Sequence, residues 1–200
     1  VALAANATVA VDANQLNIAG AISGTNGLTK TGAGILAFSA TSTYTGGTVI
    51  NNGVLALTGG GGANGTIRGA VTVNPGTTLR LLSSDNLGYN ANGAQVGTLN
   101  IAGGTVESAG GLNQTTSAGI VMTGGSIIGV TNFDLFSPVS SSNNASITTL
   151  ASASTATISV STMNLRQDAV KFNVADGTAA TDLLVSSVVG NGNGGLHDLV

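Results

Sequence analysis

Residues 27–57 read GLTKTGAGILAFSATSTYTGGTVINNGVLAL. Apolar side chains alternate along this stretch. Leu36 and Phe38 flank Ala37, Thr48 and Ile50 share one face, and Leu55 and Leu57 share another. Period two is the pattern of a strand with one buried face, which turns Leu36 and Phe38 inward and Ala37 outward. Gly32-Ala33-Gly34, Gly46-Gly47 and Asn51-Asn52-Gly53 separate these phrases. Gly and Asn tolerate positive φ and so suit sharp corners. Asn side chains stacked at such corners can bond along the axis, as in cross-β ladders. No stretch of the chain sustains a 3.6-residue period, so an all-β fold of short strands and tight turns is expected.

Outward from this stretch the phrases recur. LNIAGGTV at residues 99–106 returns as IVMTGGSI at residues 120–127, 21 positions later, and INNG at residues 50–53 returns as VNPG at residues 73–76, 23 positions later. Val71 and Val73 should share a face with Leu79 and Leu81 across that second turn. A strand-rich repeat of this length predicts a β-solenoid with about 20–25 residues per coil. At the inter-strand spacing of roughly 4.8 Å, about nine coils would form a rod on the order of 43 Å long. A longer echo links residues 16–28 to residues 183–196, with Gly27-Leu28 and Gly195-Leu196 standing 168 positions apart. Residues 1–200 are therefore expected to be a single continuous β-solenoid segment, a fragment of a longer repeat array.

The phrase at residues 27–57 closely resembles the autotransporter-associated β-strand repeat, found in secreted passenger regions of bacterial surface proteins. The resemblance implies a right-handed parallel β-helix and a place outside the cell, extracellular or on the bacterial outer surface. It implies no reaction. Lys30 occupies the lysine position of the family phrase, which suggests a structural role at a coil corner. Tyr44 lies in the matching Thr-Tyr-Thr-Gly-Gly-Thr phrase, and packing with its hydroxyl on a partner is the expected role.

Composition narrows the function classes. Charged residues are 6% of the 200-residue chain and hydrophobic residues 42%, with 31 glycines. An ordinary domain carries about 25% charge, but a disordered chain would also be poor in hydrophobics, so this chain can bury a core. Net charge is -3 with a pI near 4.6, which argues against a nucleic-acid partner. The absence of cysteine excludes disulfides and Cys-based zinc sites. There is no apolar run of about 18 residues for a membrane helix, and six scattered aromatics cannot form the girdles of a membrane barrel. Residues 1–11, interrupted by Asn6 and Thr8 and preceded by no basic residues, are not expected to be a signal peptide, and any anchoring domain is expected to lie outside this segment.

Candidate chemistry is sparse. Paired-carboxylate catalysis needs two converging acids, and the chain has one glutamate, Glu107, among scattered aspartates. Asp176 and Asp182 should flank a turn, with a calcium ion as the alternative occupant. His197 is the single histidine, and Asp198 beside it would face the other way in a strand. Residues 192–195 lack the order of a calcium-binding nonapeptide, and residues 59–62 are not followed by the Lys of a phosphate loop. Phe133 and Phe136 are read as packing residues with a contact for another chain as the alternative, Thr41, Thr43, Thr45 and Thr48 as a weak candidate for a flat threonine column, and residues 165–172 as the least strand-like stretch. The sequons at Asn6, Asn64, Asn113 and Asn144 are those expected by chance in so polar a chain. Residues 83–94 and 137–146 are polar insertions expected to project as loops.

The expectation is therefore a structural and adhesive extracellular protein, not an enzyme, with no catalytic residue, cofactor or metal site. The alternative is a polysaccharide-degrading β-helix or a glycan-binding surface. Expected partners are the chain itself, end to end or side by side, neighbouring repeats, and host or matrix glycans. No nucleic acid and no membrane insertion by this segment are expected.

Overall fold

A computed structural model describes residues 1–90, 93–109, 112–136, 145–166 and 170–192. Three parallel sheets form the walls of a β-solenoid of about seven turns. The first sheet runs β1 (Ala7–Ala10), β3 (Leu28–Thr31), β5 (Thr48–Ile50), β7 (Gly69–Val73), β9 (Val96–Ile101), β12 (Gly119–Met122), β15 (Ser146–Thr149), β18 (Lys171–Val174). The second runs β2 (Gln15–Ile18), β4 (Ile35–Phe38), β6 (Val54–Leu57), β8 (Thr78–Leu81), β10 (Thr105–Ser108), β13 (Ser126–Gly129), β16 (Ala156–Ser159), β19 (Leu183–Val185). The third starts later, with β11 (Gln114–Thr116), β14 (Asn132–Phe136), β17 (Thr162–Arg166) and β20 (Val188–Gly190). From β9 onward the chain visits the three sheets in rotation.

Like side chains stack because each coil repeats the register of the last. Leu16, Leu36, Leu55, Leu79, Val106, Ile127, Ile158 and Val185 form one inward column of the second sheet. Leu28, Thr48, Val71, Leu99, Ile120, Ile147 and Phe172 form one in the first. Most of these side chains are fully buried, each contributing on the order of 1.5–3 kcal/mol relative to exposure. Val71, Val73, Leu79 and Leu81 share the core as the alternation predicts. Ala37 does not behave as a solvent-facing residue. It is buried, as is its register partner Ala56, because small side chains in a column that runs from Asn17 to Arg80 are overshadowed by larger neighbours.

Seven steps carry the second-sheet column from Leu16 to Val185, a mean of about 24 residues and within the expected 20–25, but individual steps vary. The step is 19 from Leu36 to Leu55, 27 from Leu79 to Val106 and 31 from Ile127 to Ile158. About seven coils result in place of about nine. The added residues build the third wall. Before β11 that wall has no strand, yet its backbone still pairs between coils. Thr43 N donates to Ile22 O at 2.7 Å, and Thr66 N donates to Asn86 O at 2.7 Å. Within residues 165–172, Leu165 and Arg166 end β17 and Lys171 and Phe172 begin β18, while residues 167–169 lie outside the described residues. Alternation there is masked by the polar Arg166 and by Lys171 on a partly solvated wall.

Corners between the first two sheets take left-handed backbone, at φ 56° for Asn14, 78° for Gly32, 69° for Gly53, 73° for Gly76 and 81° for Gly103. Asn74 Nδ2 donates to Asn51 Oδ1 at 2.6 Å, an asparagine rung between successive corners.

Candidate functional site

The third wall carries a groove of about 620 Å³ lined by Ser84, Asp85, Tyr89, Leu112, Asn113, Thr115, Asp134, Phe136 and Arg166. Its position follows from strand alternation. In β14, Phe133 and Leu135 point into the core, so Asp134 and Phe136 face out. In β17 the register partners of those two are Asn164 and Arg166. Asn164 Nδ2 donates to Asp134 Oδ1 at 2.7 Å, and Arg166 Nη1 donates to Asp134 Oδ2 at 3.0 Å. Asp134 is only 4% exposed, so this doubly bonded carboxylate is a fixed part of the wall. The Arg166 guanidinium lies 5.8 Å from the centre of the Phe136 ring, and Tyr89 meets that ring edge-on at 5.7 Å and 75°.

Asp85 forms the opposite rim. Its φ is 50°, a left-handed conformation that aspartate adopts more readily than most residues. Three hydrogen bonds hold it: its N–H donates to Asn113 O at 3.1 Å, its carbonyl accepts from Gly88 N at 2.9 Å, and Oδ1 accepts from Thr115 N at 2.7 Å. Beneath the rim lies a buried polar network. Asn86 accepts from Ser83 N and donates to Thr66 Oγ1, while Gln114 accepts from Asn86 N and donates to Ser83 O. Residues 83–94 are thus not a simple projecting loop. Asn86 and Leu87 are wholly buried, because the third wall needs inward side chains even where no strand forms. Ser84, Asp85 and Tyr89 stay at the groove.

Other residues singled out in the sequence lie elsewhere. Lys30 points inward between Leu28 and Ile50 and is fully buried. Its Nζ donates to the carbonyls of Thr31, Gly32 and Asn52 at 2.8, 2.7 and 3.1 Å, which ties two successive corners together. Desolvation lowers its pKa, and the charge of Asp12 opposes that shift. Tyr44 is buried with its hydroxyl 2.5 Å from Thr48 Oγ1, and burial pushes the phenol up to about 12. The four threonines do not form a column: Thr48 is buried, Thr41 donates to Gly60 O, and Thr43 and Thr45 are exposed. Asp182 Oδ1 accepts from Gly177 N at 2.9 Å, so one member of the Asp176–Asp182 pair closes the turn between them. Glu107 pairs with Arg80 at 2.6 Å on the second sheet, away from the groove. His197, Asp198, residues 193–195 and most of the 137–146 insertion lie outside the described residues.

Phe133 is a core residue, whereas Phe136 lines the groove. Sequence reading passed over Asp134 and Arg166. Their signal was the pair of phrases NFDLF and TMNLR, 30 positions apart, each with a polar residue between two apolar ones. Among the described residues no three His, Cys, Asp or Glu side chains cluster to hold a metal, and no helix is long and apolar enough to cross a membrane.

The corners and columns of the first coils fall in a stretch with known counterparts. Residues 28–57 match the family model described as passenger-associated-transport-repeat. The chain carries an autotransporter-passenger repeat. It is also 40% identical over 80 residues to an extracellular serine protease of Serratia marcescens, a match covering 40% of this chain and 8% of that protein. No solved structure matches. Repeat and relative both point to an extracellular or cell-surface location for this β-solenoid segment.

Proposed function

We propose that this chain is a structural and adhesive segment of an extracellular rod, carried on a bacterial surface or in a self-assembling fibre. The observation that supports it is the parallel register maintained across eight strands in each of two walls. A solenoid in which each coil contacts only its neighbours extends without a size limit and can hold a surface away from the cell. Val174, Leu184, Val188 and Val189 are exposed on the last described coil, whose β18, β19 and β20 are the outermost strands of their sheets among the described residues. Such an end favours stacking on a further coil or a second copy.

Electron microscopy and fibre diffraction of the purified protein test the rod. Straight particles with an axial repeat of about 4.8 Å are expected; compact particles without that reflection would refute it. Beads coated with the protein test the adhesive role: they should bind a glycan-bearing matrix more than uncoated beads do, and equal binding would remove that role.

A further inference from the structure

We propose that the groove on the third wall binds a neutral oligosaccharide. The proposal deepens the adhesive reading and rests on it for placing the groove outside the cell. The groove volume of about 620 Å³ lies within the range of small-molecule sites, about 300–1,000 Å³. Its lining mixes two kinds of surface that a sugar needs together. The rings of Tyr89 and Phe136 and the exposed Leu112 offer apolar area to sugar C–H groups. Ser84, Asp85, Asn113 and Thr115 bring polar atoms to the same groove for sugar hydroxyls.

Charge selects among sugars. The groove's charged side chains among the described residues are Asp85, Asp134 and Arg166, and Arg166 is paired with Asp134. The remaining charge is the Asp85 carboxylate, which repels an acidic sugar and accepts hydrogen bonds from a neutral one. A wholly apolar ligand would strip water from that carboxylate without replacing its hydrogen bonds. The site is also built in advance. Asp85 is held in a left-handed conformation by three hydrogen bonds, over the buried Asn86–Gln114 network. Preorganisation reduces the ordering cost of a weak ligand.

Saturation-transfer difference NMR on the full chain tests this, with cellotriose and triacetylchitotriose as neutral probes and trigalacturonate as the acidic one. At about 10 mM sugar, at least one neutral probe should receive saturation and trigalacturonate should not. Tyr89→Ala should weaken the neutral interaction about tenfold, Tyr89→Phe should preserve it, and Asp85→Asn should admit trigalacturonate. No transfer to either neutral probe, transfer unchanged in Tyr89→Ala, or preference for trigalacturonate would overturn the proposal. Far-UV circular dichroism identifies a variant that fails to fold, in which case Asp85→Asn and Tyr89→Phe decide. A rod intact by microscopy with no sugar binding refutes the groove assignment alone; loss of the rod refutes the parent reading.

Discussion

Lys30 and Tyr44 show how far a single residue can be read. Both lie in the repeat phrase, and both are wholly buried. Alternation from Leu28 places Lys30 on the inner face, where Val9 and Ile50 are its register partners. Only the folded chain reveals that the side chain can lie there. Its ammonium donates to three corner carbonyls from two successive coils. Tyr44 gives a pH prediction. Its phenol is raised to about 12 by burial, against about 10 in the unfolded chain. Between those values the unfolded state has released the proton while the folded state keeps it, so the unfolded state binds fewer protons and stability falls as pH rises. The contribution is complete below about pH 10 and lost through about pH 12, on the order of 2–3 kcal/mol. Urea denaturation at about pH 9 and about pH 11.5 should show this loss in the parent and a smaller one in Tyr44→Phe. Equal losses in both would mean that Tyr44 is not the titrating group.

At the scale of the element, corners and strands differ in how they are encoded. Corners are legible because left-handed backbone needs Gly or Asn, and the chain places them between apolar phrases. The severity of that need is a tertiary matter. A Cβ on Gly53, at φ 69°, would sit 2.5 Å from Gly34 O and 2.6 Å from Gly32 O, whereas one on Gly76, at φ 73°, would meet nothing within 4 Å. Gly76→Ala should therefore cost about 1 kcal/mol, the backbone strain alone. Gly53→Ala should cost at least about 2 kcal/mol, since strain is joined by a clash with the preceding corner. Chemical denaturation of the two variants checks the order, and equal costs would deny that corner stacking matters. The third wall was hard to read for a related reason. Its early coils hold their backbone together with bonds such as Thr43 N to Ile22 O but form no strands, so they show no regular alternation. Residues 83–94 therefore looked like a free loop although Asn86 and Leu87 belong to the interior.

For the whole molecule, a stack held by neighbour contacts should tolerate removal of one complete coil. Val54 and Thr78 are register partners, so deleting residues 54–77 joins Gly53 to Thr78 and brings β8 under β4 and β9 under β5. The shortened chain should keep its β-sheet circular dichroism and lose about 4.8 Å of length, measured by microscopy or scattering. Deleting residues 54–65 leaves half a coil and should disrupt folding. Equal behaviour of the two deletions would count against a modular stack. The sequence by itself determined the all-β class, the stacked coils and the glycine corners, because period two, a repeat near 20 residues and positive-φ residues are local facts about neighbouring positions. The tertiary structure alone decided the number of coils and the existence of the groove. Coil length on the third wall drifts, so Asp85, Thr115, Asp134 and Arg166 come together across steps of 19 to 32 residues, which no fixed spacing along the chain announces.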